Sequence, residues 1–234
     1  MFSKKFLIAG LLASSSTAFA HMSVASGPVQ AGRTSKISLG ISHGCNDTED
    51  SWKIRVTFPA GTFSSVRPMR SDFGTPVVLK EGNQVSGIEW TKPDADKRQA
   101  DDAYYELTFR AAVPNTPFSK VKLTITQTCV DASGNPTTPV VWDDDASSDP
   151  EPAPRLVILP QKLTPTGWTK LTIPANTTVA AADLDDYFPD ALIVWKGTAA
   201  FSTNANTVEQ INATTGVTFL DSDLVAGDVV WVRY

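Results

Sequence analysis

The sequence predicts a mainly β protein: a β-sandwich over residues 21–160, followed by a small α+β appendage over residues 161–234. Apolar and polar residues alternate through about seven or eight short runs, the pattern of strands with one face in a core. Turn signals such as Pro59-Ala60-Gly61 and Ser133-Gly134-Asn135-Pro136 separate the runs, and no convincing amphipathic helix interrupts them before residue 160.

Residues 1–20 read as a secretory signal. Lys4 and Lys5 form a basic start, "FLIAGLLA" an apolar stretch, and Ala18-Phe19-Ala20 a small-x-small cleavage site. The apolar stretch is about eight residues, too short to span a bilayer as a helix, which takes roughly 20. Cleavage between Ala20 and His21 predicts a mature chain that is periplasmic or secreted. It also removes two lysines and no acid, so a formal charge of −5 becomes more negative. An acidic chain with two histidines argues against nucleic acid as a partner.

The first strands follow in order. "SKISLGIS" turns Ile37, Leu39 and Ile41 one way, and "SWKIRVTFP" does the same with Trp52, Ile54, Val56 and Phe58. "YYELTFRAAVP" aligns Tyr105, Leu107, Phe109, Ala111 and Val113, and "VKLTITQT" aligns Val121, Leu123 and Ile125. "TPVVLK", "QVSGIEW", "TPVVW" and "RLVILP" are shorter candidates. The acidic, proline-rich stretch from Trp142 to Pro154 lacks the spacing of a calcium loop and reads as a solvated hairpin or linker. In the appendage, "GWTKLTIPANTT", "ALIVWKG" and "DVVWVRY" read as strands, and "AAADLDDYF" as a short helix stopped by Pro189. The Asn/Thr-rich "STNANTVEQINATT" reads as a separator. Trp168, Trp195 and Trp231 are expected to form the appendage core, the alternative being an exposed strip facing a partner or a glycan.

Cys45 and Cys129 are the only cysteines, and an even pair in an exported chain predicts a disulfide, the alternative being a two-thiolate metal site. Closing a loop of this size stabilises a fold by roughly 4 to 5 kcal/mol in the chain-entropy model. A histidine at a free N-terminus offers two nitrogens from one residue, because its α-amine and Nδ1 close a chelate ring. The amine has an ordinary pKa near 8, low for an amine, and neutral imidazole suits Cu(II) with its tetragonal N/O preference. His21 becomes such a residue on cleavage.

"AHMSV", "ISHGC" at 41–45, "RVTFPAG" at 55–61, "YYELTFRAAVP" at 104–114 and "TQTCVDASG" followed by "VVWDD" together resemble the YcnI-like family of exported copper-binding domains. The resemblance covers residues 21–160. It implies an immunoglobulin-like sandwich that holds one Cu(II) in a single-histidine brace and works in copper homeostasis or delivery. The family's N-terminal histidine falls on His21, its strand glutamate on Glu106, and the tryptophan beside its metal on Trp142. It also implies partners of the CopC/CopD type. From the residues alone, Glu106 lies on the face opposite Leu107 and Phe109, where pairing with Arg110 is the ordinary alternative. An indole N–H only donates, so Trp142 is better suited to shielding the site than to ligating the metal.

His43 reads as a turn or capping residue and Met22 as core packing. The sequence has no G-x-S-x-G elbow, no H-E-x-x-H and no phosphate-cradling glycine loop, so no enzyme activity is expected. The alternative function is a copper-dependent polysaccharide oxygenase with the appendage as its binding module, which would require a second histidine on the metal.

Overall fold

The computed structural model describes residues 22–41, 45, 48–98, 104–145, 152–163 and 166–234. In chain order its first strands are β1 (Ser23–Val24), β2 (Val29–Gln30), β3 (Thr34–Ile41), β4 (Asp50–Thr57), β5 (Ser64–Pro68) and β6 (Val77–Glu81). They are followed by β7 (Gln84–Thr91), β8 (Tyr105–Ala112), β9 (Ser119–Lys122), β10 (Thr124–Val130), β11 (Val140–Trp142) and β12 (Arg155–Leu159). Two main sheets result, β1-β3-β8-β5 and β11-β10-β4-β7-β6, with a small third sheet β2-β12-β9.

The alternation decides what lies between the main sheets. Ile37, Leu39, Leu107 and Phe109 from one sheet meet Ile54, Val56, Ile88, Trp90 and Ile125 from the other, all fully buried in one core. Two antiparallel sheets packed in this way make an immunoglobulin-like β-sandwich. Cys45 and Cys129 are joined in a disulfide with a Cα–Cα distance of 6.0 Å, tying the segment after β3 to the end of β10.

Three local features depart from the sequence reading. The run "VKLTITQT" is two strands, because the chain changes sheets at Leu123. There the buried Leu123 donates its N–H to Pro154 O at 2.9 Å, while β9 pairs with β12 and β10 with β4. Trp52 does not share the inward row of Ile54 and Val56. A register shift opposite Thr128 and Cys129 leaves it in a bulge, so that Ser51 is buried and Trp52 only partly so. β5 was not foreseen; it joins β8 through another register shift and includes Ser65 at φ 53°.

The appendage contains β13 (Trp168–Thr172), β14 (Thr178–Val179), helix α1 (Leu184–Tyr187), β15 (Ile193–Lys196) and β16 (Ala199–Phe201). Helix α2 (Ala205–Ala213), β17 (Thr218–Phe219), β18 (Leu224–Val225) and β19 (Val229–Arg233) complete it. Its sheet runs β13-β19-β15-β16-β17, beside the pair β14-β18. The supposed separator thus contains a helix. Asn204 caps it by accepting from Thr207 N at 3.1 Å, but Ile211 is the only buried residue in it, too thin an apolar stripe to read.

The appendage core consists of residues such as Leu184, Phe188, Val194, Leu224, Val230 and Val232, not of the three tryptophans. Trp168 and Trp231 are each 47% exposed, so the expectation that they pack inside is corrected. Val residues fill the inner face of β19 instead. The two units also share this second core, which takes in Phe118 from the loop before β9. Phe118 has φ 62°, an uncommon conformation for a bulky residue, and its ring meets Tyr187 and Phe188 with centroids at 5.7 and 5.8 Å. Beside it, Lys120 pairs with Asp183 and Asp186 at 3.0 and 2.7 Å. Burial works against the Lys120 charge, but the hydrogen bonds to the two carboxylates outweigh it and hold its pKa above the ordinary lysine value.

Thr169 on β13 is 1% exposed and its hydroxyl has no hydrogen-bond partner. Thr169→Val removes that unsatisfied group, and the expected result is a gain of about 1 kcal/mol in stability by urea denaturation.

Candidate metal centre

The site is built on the outer face of the β1-β3-β8-β5 sheet. Met22 is 5% exposed and packs into the sandwich core, so alternation turns Ser23 outward. Ser23 lies opposite Gly40 on β3, and Gly40 lies opposite Glu106 on β8. One lateral row therefore carries Ser23, Gly40 and Glu106 across three strands.

Gly40 is buried although it has no side chain, because Tyr104 covers it. A Cβ at Gly40 would collide with the Tyr104 hydroxyl and lie 2.9 Å from Ser23 Oγ. Glycine inside a strand often marks such a close approach, which was the available signal for this contact in "SLGIS". The Tyr104 ring itself is 57% exposed. Next along β3 and β8, Ser38 and Thr108 share a buried hydroxyl–hydroxyl hydrogen bond of 2.8 Å.

Glu106 is exposed, and none of the hydrogen bonds or ion pairs among the described residues involves it. In particular it does not pair with Arg110, the ordinary alternative for an outward strand glutamate. Its carboxylate, the Ser23 hydroxyl and the Tyr104 phenol make this a face of oxygen donors. Ser23, Gly40 and Tyr104 were not singled out from the sequence, because their meeting depends on strand register. Oxygen donors of this kind suit a hard or borderline cation and complement nitrogen ligands on Cu(II).

Trp142 occupies a different setting. It is 6% exposed, on the inner face of the other main sheet, opposite Ile125. Its Nε1 donates to Gln127 Oε1 at 3.3 Å, and Gln127 Nε2 donates to Ser51 Oγ at 2.7 Å. The disulfide adjoins this network, with Cys45 N donating to Cys129 Sγ at 3.0 Å. Trp142 is thus a core residue paired with the start of β10, whereas Glu106 faces solvent on the opposite sheet. Cys45, Glu49 and Cys129 bring three donor atoms within 4.8 Å of one another, but both sulfurs are committed to the disulfide. Glu49 accepts from Thr137 Oγ1 at 2.9 Å. Ala20, His21 and His43 lie outside the described residues.

Among solved structures, the chain is similar to an uncharacterized protein from Nocardia farcinica with an immunoglobulin-like fold. The identity is 19% and the TM-score 0.48, over 59% of this chain and 97% of that one. A cohesin–dockerin complex from Clostridium thermocellum gives 10% identity and a TM-score of 0.39, covering 59% of this chain and 97% of the other. A cohesin module of a Clostridium perfringens family 33 glycoside hydrolase gives 13% and 0.37, with 60% and 95% covered. No curated protein matches the chain. The family model described as "Domain of unknown function (DUF1775)" matches residues 21–158, more than half of the sequence, and the chain belongs to that family.

Proposed function

We propose that this is an exported YcnI-like protein that binds one Cu(II) in copper homeostasis or delivery, without catalysing a reaction. The α-amine and imidazole of a mature N-terminal His21 supply two nitrogens, and Glu106 supplies a carboxylate oxygen. The reading rests above all on the unpaired Glu106 lying in register with Ser23, two residues after His21. Chain connectivity keeps the Cα of His21 within about 7 Å of that of Ser23. Glu106 is two strand spacings from Ser23, roughly 10 Å, which a histidine and a glutamate side chain can bridge through a shared ion.

The donor set fits the metal. Imidazole and amine nitrogens with a carboxylate satisfy the N/O preference of Cu(II), and Ser23 and Tyr104 add oxygens at the same face. The copper is cargo on this reading, held by few protein ligands so that a partner of the CopC/CopD type can take or give it. Trp142 is not a ligand on this reading, because its indole N–H is engaged by Gln127 on the core side of the other sheet.

Calorimetric titration with Cu(II) of protein beginning at His21 tests the assignment of Glu106. Glu106→Gln keeps the size of the exposed side chain and removes its charge. Affinity is expected to fall about tenfold, equivalent to roughly 1.4 kcal/mol, with altered Cu(II) paramagnetic resonance parameters. Unchanged affinity and spectrum would remove Glu106 from the site.

A further inference from the structure

The three tryptophans that do not enter the appendage core are gathered on one face. Strands β13, β19 and β15 are neighbours, and their alternation sends Thr169, Val230, Val232 and Val194 inward. The other face carries Trp168 and Lys170 from β13, Trp231 and Arg233 from β19, and Trp195 from β15. Trp231 lies directly opposite both Lys170 and Trp195, and Trp168 lies opposite Arg233. Neighbouring strands are about 4.8 Å apart, so the indoles form a strip crossing three strands with the two cations set among them.

The strip is concave. Trp168, Trp195 and Trp231, with Gly197, line a depression of about 430 Å³. Gly197 takes φ 59° in the two-residue turn between β15 and β16 and adds no side chain to the wall. None of the ring–ring contacts among the described residues joins these indoles, so their faces are not spent on one another.

The cations indicate the kind of occupant. Lys162 and Lys196, elsewhere in the appendage, pair with Asp190 and Asp228. Lys170 and Arg233 pair with no carboxylate among the described residues, although the chain has 25 acidic and 20 basic side chains. Lys170 Nζ lies 6.0 Å from the centre of the Trp231 ring. Lysine is depleted from the cores of protein interfaces, yet here it lies within the aromatic strip.

We propose that this face binds an anionic polysaccharide. The flat, C–H-bearing faces of its sugar rings stack on the indoles, and its carboxylate groups meet Lys170 and Arg233. The charge match distinguishes such a chain from a neutral glycan, and the open concave strip accepts a linear polymer.

Affinity electrophoresis of the full exported chain through gels containing polygalacturonate, alginate or neutral hydroxyethylcellulose tests the proposal. The protein should be retarded by at least one of the two acidic polymers, with quenching of tryptophan fluorescence, and not by the neutral one. Trp231→Ala and Trp168→Ala should each weaken retardation at least tenfold while leaving the far-ultraviolet circular dichroism unchanged. Lys170→Gln/Arg233→Gln should weaken it and reduce its dependence on salt. Retardation by neither acidic polymer overturns the proposal, as does retardation that survives both tryptophan substitutions. Equal retardation by the neutral polymer overturns the anionic assignment. Tryptophan-dependent co-sedimentation with phosphatidylglycerol vesicles, without retardation by either acidic polymer, overturns it in favour of a membrane surface.

Discussion

One extra residue ahead of His21 is expected to weaken Cu(II) binding by roughly a hundredfold or more, the scale by which joining two weak contacts exceeds either alone. The added residue turns the α-amine into an amide. An amide nitrogen does not offer the lone pair of an amine, so that nitrogen and Nδ1, joined through Cα, Cβ and Cγ, no longer close a six-membered ring on the metal. On the proposed reading the imidazole and Glu106 remain, which separates this effect from loss of the site as a whole. The free amine has an ordinary pKa near 8, so the affinity of protein beginning at His21 should rise with pH through about that value as the proton leaves. The extended protein should lack that part of the pH dependence. Competition titration against a chelator across this pH range measures both effects. Equal affinities for the two proteins would exclude the chelate. The added residue lies outside the sandwich core, so thermal stability without metal should be the same for both.

Replacing both cysteines, as Cys45→Ala/Cys129→Ala, should cost roughly 4 to 5 kcal/mol of stability. The bridge joins residues 84 positions apart, and most of its effect is to restrict the unfolded chain. The expected observation is a markedly lower urea midpoint for the sandwich, reproduced in the unaltered protein by a thiol reductant. Loss of the bridge should also loosen the strands that carry the proposed site. Cys45 follows β3, which carries Gly40, and Cys129 abuts the Ser51–Gln127–Trp142 network. An unchanged midpoint in both experiments would mean that the bridge contributes little to the stability of this fold.

Much of the sandwich was legible because alternation is a local property. Ile37, Leu39 and Ile41 had to share a face, as did Leu107, Phe109 and Ala111, and those faces meet in the core. The outward direction of Glu106 followed from the same rule, since it precedes Leu107 on the strand. Its freedom from Arg110 did not. That depends on two exposed side chains four residues apart on an extended strand remaining out of each other's reach, as they do in the structure. The Ser23–Gly40–Glu106 row was equally hidden, because register is set by pairing between segments far apart in the sequence. The break at Leu123 leaves no local signal, because a strand that changes sheets can keep its alternation unbroken.

The appendage shows where local pattern ends. In "WTKLT" and "VVWVR" the sequence by itself determined two faces, one with tryptophan and charge and one with Thr169, Val230 and Val232. Either face was a candidate for burial, and the larger apolar residues favoured the tryptophan side. Only the tertiary structure decided the matter, because a sheet face is buried by whatever covers it. Here Leu184 and Phe188, with Phe118 from the sandwich, cover the valine side and leave the indoles open. In the same way, the sequence determined that a cleaved chain would begin with a two-nitrogen histidine. Which carboxylate lies in register beside that end is a matter of strand pairing, and no local pattern encodes it.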